Sequence, residues 1–223
     1  MDPLSTCALF EQFLAQRRYL KNVTPSTIEY VRVCDNFLNP EDQRAPLLLL
    51  QAHASYRAAV GLAMSGQSAP AFMAMRGCLE SSLYGLYFNR NPDSFHLWLS
   101  RHDDDTARRS VKVEFTIRNL KDCLQEADPG TNAIVAQLYD RTIDYGAHPN
   151  VGALASAFRS RTVGDRTHFD VAYLTADPQV LVRTMKSVAQ TGVCSLMIFR
   201  NALAERFDLL GITESLAALR QKL

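Results

Sequence analysis

Two polar pairs in this 223-residue chain have the types and spacing for chemistry. The segment Tyr139-Asp140-Arg141-Thr142-Ile143-Asp144-Tyr145-Gly146-Ala147-His148-Pro149 closes a helical pattern, with six residues between Arg141 and His148. An arginine on a helix and a histidine just beyond its end can approach one phosphate. The imidazole shuttles a proton near neutral pH, and the guanidinium stabilises a phosphoryl transition state. Such a pair cleaves RNA without a metal, which makes Arg141 and His148 the candidate catalytic residues. The same loose spacing recurs at Arg90/His96 and Arg161/His168, so spacing alone singles out no pair. The plainer reading is that His148 ends a helix and sits at its carbonyl end.

The second pair is Arg76 and Glu80, at i and i+4 in the apolar run Met75-Arg76-Gly77-Cys78-Leu79-Glu80. That spacing puts both on one helix face, and charges in such a setting need partners. Either they form an ion pair that fixes helix register, or, with Arg57 and Tyr139, they floor a ligand pocket. Arg159, Arg161 and Arg166 follow His148 in an irregular stretch whose only nearby acid is Asp165. A loop of this kind can grip a phosphate backbone, so these three are candidate nucleic-acid contacts, or it is an ordinary surface loop. Metal binding has less behind it: Asp144 and His148 are four apart, but no second carboxylate-histidine pair completes a bundle site. No metal and no cofactor is expected.

Other functional classes lack their motifs. The chain has no G-x-x-x-x-G-K-S/T phosphate loop, no G-x-G-x-x-G, no G-x-S-x-G and no H-E-x-x-H. Lysine plus arginine (24) nearly balances aspartate plus glutamate (23), for a net charge of +1. No global field therefore draws the protein to nucleic acid or a membrane, although a local patch still can. The 47% hydrophobic content suits a soluble globular core. No signal peptide or membrane span is expected, because the most apolar stretch, Pro46 to Met64, carries His53 and Arg57. Five scattered cysteines (Cys7, Cys34, Cys78, Cys123, Cys194) read as buried thiols in a reducing, cytoplasmic setting.

The elements that must position these residues are helical. Leu4 to Leu20 forms a first helix, and Thr24-Pro25 starts a second with Ile28, Val31, Cys34 and Leu38 inward. Asn39-Pro40 opens a third through Leu47 to Leu50, Ala54, Ala58 and Leu62, stopped by Ser65-Gly66. A fourth starts at Ala69-Pro70 with Phe72, Met75, Leu79, Leu83 and Leu86 on one stripe and ends at Asn91-Pro92. Its Gly77, Ser81 and Gly85 leave room for another helix to approach. Asp93 to Arg101 is a short amphipathic segment. Arg108 to Glu126 reads as one helix with Val111, Phe115, Leu120 and Leu124 inward. After the Asp128-Pro129-Gly130 turn, with Thr131 as cap, Ile134, Leu138, Thr142 and Tyr145 mark a helix to Gly146. Arg159 to Thr162 and Thr167 to Tyr173 flank Val163-Gly164-Asp165 as a minor hairpin. Asp177-Pro178 then caps a pattern (Leu181, Met185, Val188, Gly192, Leu196, Phe199, Leu203, Phe207, Leu210) that predicts about 33 residues, roughly 50 Å of helix, ended by Gly211. Thr213 caps a short terminal helix.

The expected architecture is an all-α antiparallel bundle of seven to nine helices with a long C-terminal helix and a minor hairpin. It divides into an N-terminal helical arm at 1–39 and a bundle domain at 40–223. Two resemblances add to this. Leu9-Phe10-Glu11-Gln12-Phe13-Leu14 through Tyr19-Leu20-Lys21-Asn22-Val23-Thr24-Pro25-Ser26-Thr27-Ile28-Glu29-Tyr30 resembles the core-binding region of phage-type tyrosine recombinases. No H-x-x-R box accompanies it, so it implies a mobile-element setting rather than recombinase activity. Residues 40–210 resemble HEPN-like bacterial helical proteins in Arg76-x-x-x-Glu80 on an apolar helix, Asn91-Pro92, Tyr139 with Arg141 and His148-Pro149, and a long closing helix. That resemblance implies a frequently dimeric bundle whose catalytic members cleave RNA with an arginine and a histidine, here Arg141 and His148. Thr142 stands where asparagine, aspartate or histidine usually follows the arginine, and many members are non-catalytic. The leading expectation is a non-enzymatic, homodimeric interaction or nucleic-acid-associated module of a mobile element or defence system. The alternatives are a metal-independent endoribonuclease and a small-ligand-binding bundle.

Overall fold

The computed structural model describes residues 25–36, 42–147, 158–171, 174–175 and 177–221. Among them are ten α-helices and one two-stranded sheet: α1 (25–35), α2 (Arg44–Met64), α3 (Ser68–Arg90), α4 (Pro92–Leu99), α5 (Asp105–Glu114), α6 (Ile117–Ala127), α7 (Pro129–Thr142), β1 (Phe158–Val163), β2 (Arg166–Val171), α8 (Pro178–Ala202), α9 (Ala204–Leu209) and α10 (Ile212–Arg220). The all-α bundle with a minor hairpin is therefore correct. The expected helix at Leu4–Leu20, Leu38, the Asn39-Pro40 start, Cys7, His148 and Tyr173 lie outside the described residues.

Three rods make the centre. At the end of α2, Gly66 N donates to Ala63 O (3.1 Å) and Gln67 N to Leu62 O (2.9 Å), with Gly66 at φ +80°. This bond pair ends a helix cleanly and turns α3 back along α2. The α3 stripe is as expected: Phe72, Met75, Leu79, Leu83 and Leu86 are all buried. So is the α8 stripe from Leu181 through Phe199. The expected close approach occurs at Gly85, where a Cβ would come within 2.5 Å of the Phe199 ring and 3.3 Å of Leu48.

The α2 stripe differs from expectation by a rotation of the helix. Leu47 and Leu50 are about half exposed and Ala54 and Ala58 exposed, whereas Ala45, Leu49, Ala52, Tyr56, Ala59 and Ala63 are buried. Four consecutive leucines carry no phase, so small residues that admit close contact decide which face turns inward. The α1 stripe is rotated as well. Ile28 and Val31 point outward, and Tyr30 and Val33 are fully buried. Tyr30 donates to Ser195 of α8, lies 3.5 Å from Cys78 Sγ and makes stacked ring contacts with His53 (5.0 Å) and Tyr56 (5.2 Å) of α2. A buried phenol has to find hydrogen-bond partners, and this need outweighs the aliphatic periodicity. Helix α1, assigned to the arm by sequence, thus packs into the main core.

Two expected helices are broken. Arg108 to Glu126 is divided between α5 and α6. Phe115 leaves the helix, Thr116 Oγ1 caps α6 by accepting from Asn119 N (3.2 Å), and Asn119 Nδ2 donates back to Glu114 O (2.8 Å). The inward residues Val111, Phe115, Leu120 and Leu124 are still buried. The closing helix stops at Ala202 after 25 residues, about 37 Å. Leu203 takes a non-helical conformation, and α9 then brings Phe207 into the core. The start of α10 is Gly211, in a left-handed conformation, rather than Thr213, whose hydroxyl instead bonds Asp208. At the start of α7 the cap is Asp128, which accepts from Thr131 N (2.9 Å) and from the Thr131 hydroxyl (2.7 Å). The two breaks raise the helix number above the expected range. Cys78, Cys123 and Cys194 are buried free thiols, as expected, whereas Cys34 is only partly buried. Among the described residues no helix is long and apolar enough to cross a membrane.

Candidate functional site

Helix α7 lies against α3, and this brings three of the sequence-selected polar residues together. Arg76 Nε donates to Glu80 Oε1 at 2.8 Å, and the Tyr139 hydroxyl donates to the same oxygen at 2.7 Å. The Arg76 guanidinium lies 5.0 Å from the centre of the Tyr139 ring, within cation–π range. Burial pushes the Tyr139 phenol well above its ordinary range, and the Glu80 charge beside it adds to the effect. Burial works against the Arg76 charge, but the Glu80 hydrogen bond and charge outweigh it and hold the guanidinium protonated. The cluster is therefore a charge-balanced, partly exposed clamp between two helices. Arg57 does not join it; it stands exposed on α2.

Arg141 follows shortly after Tyr139 on α7 and faces α8. Its Nη1 donates to Gln190 Oε1 at 3.0 Å. Past Thr142 the chain takes a π-helical turn, Ile143–Ala147, that packs Gly146 onto the start of α3. A Cβ there would overlap the Ala69 carbonyl oxygen and sit 2.8 Å from Phe72 Cβ, so only glycine permits this contact. The turn carries Tyr145 beside Phe72, with ring centroids 5.3 Å apart. Between these residues and the first turns of α8 is a cavity of about 420 Å³, lined by Phe72, Arg141, Tyr145, Arg183, Lys186 and Gln190 among others. Three cations lie on its wall, and among the described lining residues no carboxylate opposes them. Sequence reasoning selected Arg141 but missed Arg183, Lys186 and Gln190. They occupy the outward stripe of α8, three and four residues apart, and resemble an ordinary solvated face until α7 packs beside them.

The arginines after His148 sit on the hairpin. The strands pair Phe158 with Val171, Arg159 with Asp170, Ser160 with Phe169, Arg161 with His168, Thr162 with Thr167 and Val163 with Arg166. Gly164, at φ +62°, opens the two-residue loop with the positive φ that tight hairpin turns demand there. Because side chains alternate along a strand, positions 159, 161, 163, 166, 168 and 170 share one face. Three of these positions are arginine and one is histidine, and the acid that meets them is not the expected Asp165, which sits in the turn, but Asp170, 3.5 Å from Arg161 Nε. The other face carries Phe158, Ser160, Thr162, Thr167, Phe169 and Val171, and Phe169 is 73% exposed. All described hairpin side chains are exposed.

Among the described residues no group of three or more His, Cys, Asp or Glu side chains is placed to hold a metal ion. Comparison with protein-family models, curated proteins and solved structures finds no match to this chain.

Proposed function

We propose that the protein is a non-enzymatic, nucleic-acid-associated helical module, HEPN-like in its bundle, that engages a phosphate backbone through its hairpin and works as a homodimer. The observation that carries this reading is the strand register. It gathers Arg161, Arg166 and His168 with position 159 on one exposed ribbon face, and phosphate contacts by such a face supply affinity without reading sequence. The uncharged opposite face, with Phe158, Phe169 and Val171 exposed, supports self-association. The test is binding of single-stranded RNA and duplex DNA as a function of salt. Reversing Arg161 and Arg166 to glutamate is expected to weaken binding and to reduce the slope of log affinity against log salt by about one for each phosphate no longer neutralised. An unchanged slope overturns the reading.

The endoribonuclease reading keeps one specific support, the placement of Arg141 on the wall of a cationic cavity. An RNase assay of wild type beside Arg141→Ala and His148→Ala decides it. Intact RNA in every lane is the outcome expected of a non-enzymatic module.

A further inference from the structure

We propose that the groove between α2, α3 and α4 binds a small aromatic amine. This goes beyond the hairpin reading, because no described hairpin residue lines the groove. Its volume of about 590 Å³ falls within the ~300–1,000 Å³ of small-ligand sites. The antiparallel helices α2 and α3 set its direction, with Ser55 beside Gly77 at one end and Leu48 beside Gly85 at the other. Near the first end lie Glu80 and Ser81, and near the second Tyr84 meets Phe95, Trp98 and Leu99 of α4. Glu80 is the only charged side chain among the described lining residues. Its Oε1 accepts from Arg76 and Tyr139, whereas Oε2 accepts from no described residue. The Arg76 guanidinium lies over the Tyr139 ring of α7 and does not line the groove. Ser81 Oγ donates its proton to Gly77 O (2.8 Å) and keeps its lone pairs. The polar end thus offers acceptors and a negative charge, and an ammonium, a cation that only donates, is the group that satisfies both.

The aromatic end decides the rest of the ligand. Ring centroids are 6.5 Å apart for Tyr84 and Trp98 and 6.0 Å apart for Phe95 and Trp98, so the rings pack on one another and leave no gap for a cation among them. They make a wall rather than a cage, and such a wall takes a flat apolar body. Leu99, 56% exposed, is left for that body to cover. Glu80 and Tyr84 are one turn apart, about 6 Å along α3 at 1.5 Å per residue, which a spacer of a few carbon atoms bridges. A neutral arene leaves the carboxylate oxygen without a donor, and a bare ammonium leaves the ring wall in water. A molecule with both parts satisfies the whole lining.

Trp98 is the only tryptophan in the chain, so its emission reports on this groove. The test is fluorescence titration of the full chain with phenylbutylamine, phenylbutanol and phenylbutyrate, which share one body and differ in charge. The amine is expected to change Trp98 emission saturably and to bind about tenfold or more tightly than the alcohol, and the butyrate to bind more weakly still. Glu80→Gln should remove the advantage of the amine over the alcohol. Tyr139→Phe, which loosens the same clamp but keeps the carboxylate, should leave that advantage in place. Ser81→Leu, which fills the groove beside Glu80, should weaken the amine about tenfold or more with helical circular dichroism unchanged. The absence of a saturable change with the amine at millimolar concentration overturns the proposal. Equal binding of all three compounds does so too, as does amine binding unaffected by Glu80→Gln and Ser81→Leu. Failure of the hairpin reading is separable, since it shows as a salt slope indifferent to Arg161 and Arg166, whatever the groove binds.

Discussion

The Tyr139 hydroxyl donates across 2.7 Å to Glu80, and so ties α7 to α3 just before the chain reaches Arg141. Glu80 accepts from Arg76 through the same oxygen. The cationic cavity is thus set on a helix whose position is fixed by a polar clamp as well as by packing.

Removing that hydroxyl should cost stability without touching the cavity wall. Tyr139→Phe is expected to lower unfolding free energy by about 1–2 kcal/mol, because a hydrogen bond to a charged acceptor disappears from a partly buried place. A double-mutant cycle with Glu80→Gln, measured by urea denaturation, should give a coupling of about 1 kcal/mol. Strict additivity would mean that the two groups do not act on each other.

Gly146 is the second fixed point. Gly146→Ala should destabilise the protein by about 1–3 kcal/mol through overpacking against the Ala69 carbonyl and Phe72. Thermal melting checks it. An unchanged midpoint would show that the π-helical turn can lift away from α3 at no cost.

Asp128 makes the start of α7 pH-dependent. Burial raises the pKa of its carboxyl, but the hydrogen bonds from Thr131 and Asn201 and the Arg220 charge outweigh burial and hold the pKa below the usual carboxylate value. A carboxylate depressed in the folded state contributes stability above its unfolded pKa, about 3.9, and loses that contribution as pH falls through the folded value. Asp128→Ala should therefore cost about 1 kcal/mol near neutral pH. The gap to wild type should narrow below about pH 4. A gap of constant size down to strong acid would contradict the capping role.

The buried thiols should be inert. Burial pushes Cys78 up to about 11 and Cys194 up to about 12, so little of either is thiolate at about pH 8. Peptide mapping after alkylation of the native protein should find both unmodified, and both should react once denaturant is added. Rapid native labelling of Cys78 would be incompatible with its place beside Tyr30.

Much of this architecture was legible because α3 and α8 write their buried faces in large aliphatic residues at three- and four-residue spacing. Helix α2 was not, since Leu47 to Leu50 point in every direction and the face that packs is made by Ala52, Ala59 and Ala63. The break at Thr116 carried no glycine or proline, and its cap is an ordinary threonine that any helix interior tolerates. For the site, the i, i+4 spacing of Arg76 and Glu80 announced a pair, and the hairpin turn announced itself through Gly164. Arg183 and Lys186 could not be recognised, because a lysine or arginine on an outward stripe acquires meaning only from the helix that comes to lie beside it.

The hairpin also divides the polypeptide. Beyond its return strand the chain is stitched to the core by the bond from Thr175 N to Gly66 O (2.9 Å), while among the described residues nothing lies within 4 Å of where a Cβ on Gly164 would stand. Exposed tips of this kind tolerate cutting and insertion. Two fragments that meet at that point, one ending at Gly164 and one beginning at Asp165, carry complementary parts of the same oily interior, since α8 packs against both α2 and α3. The molecule is in effect a split protein waiting to be cut, and its halves should reassemble when mixed.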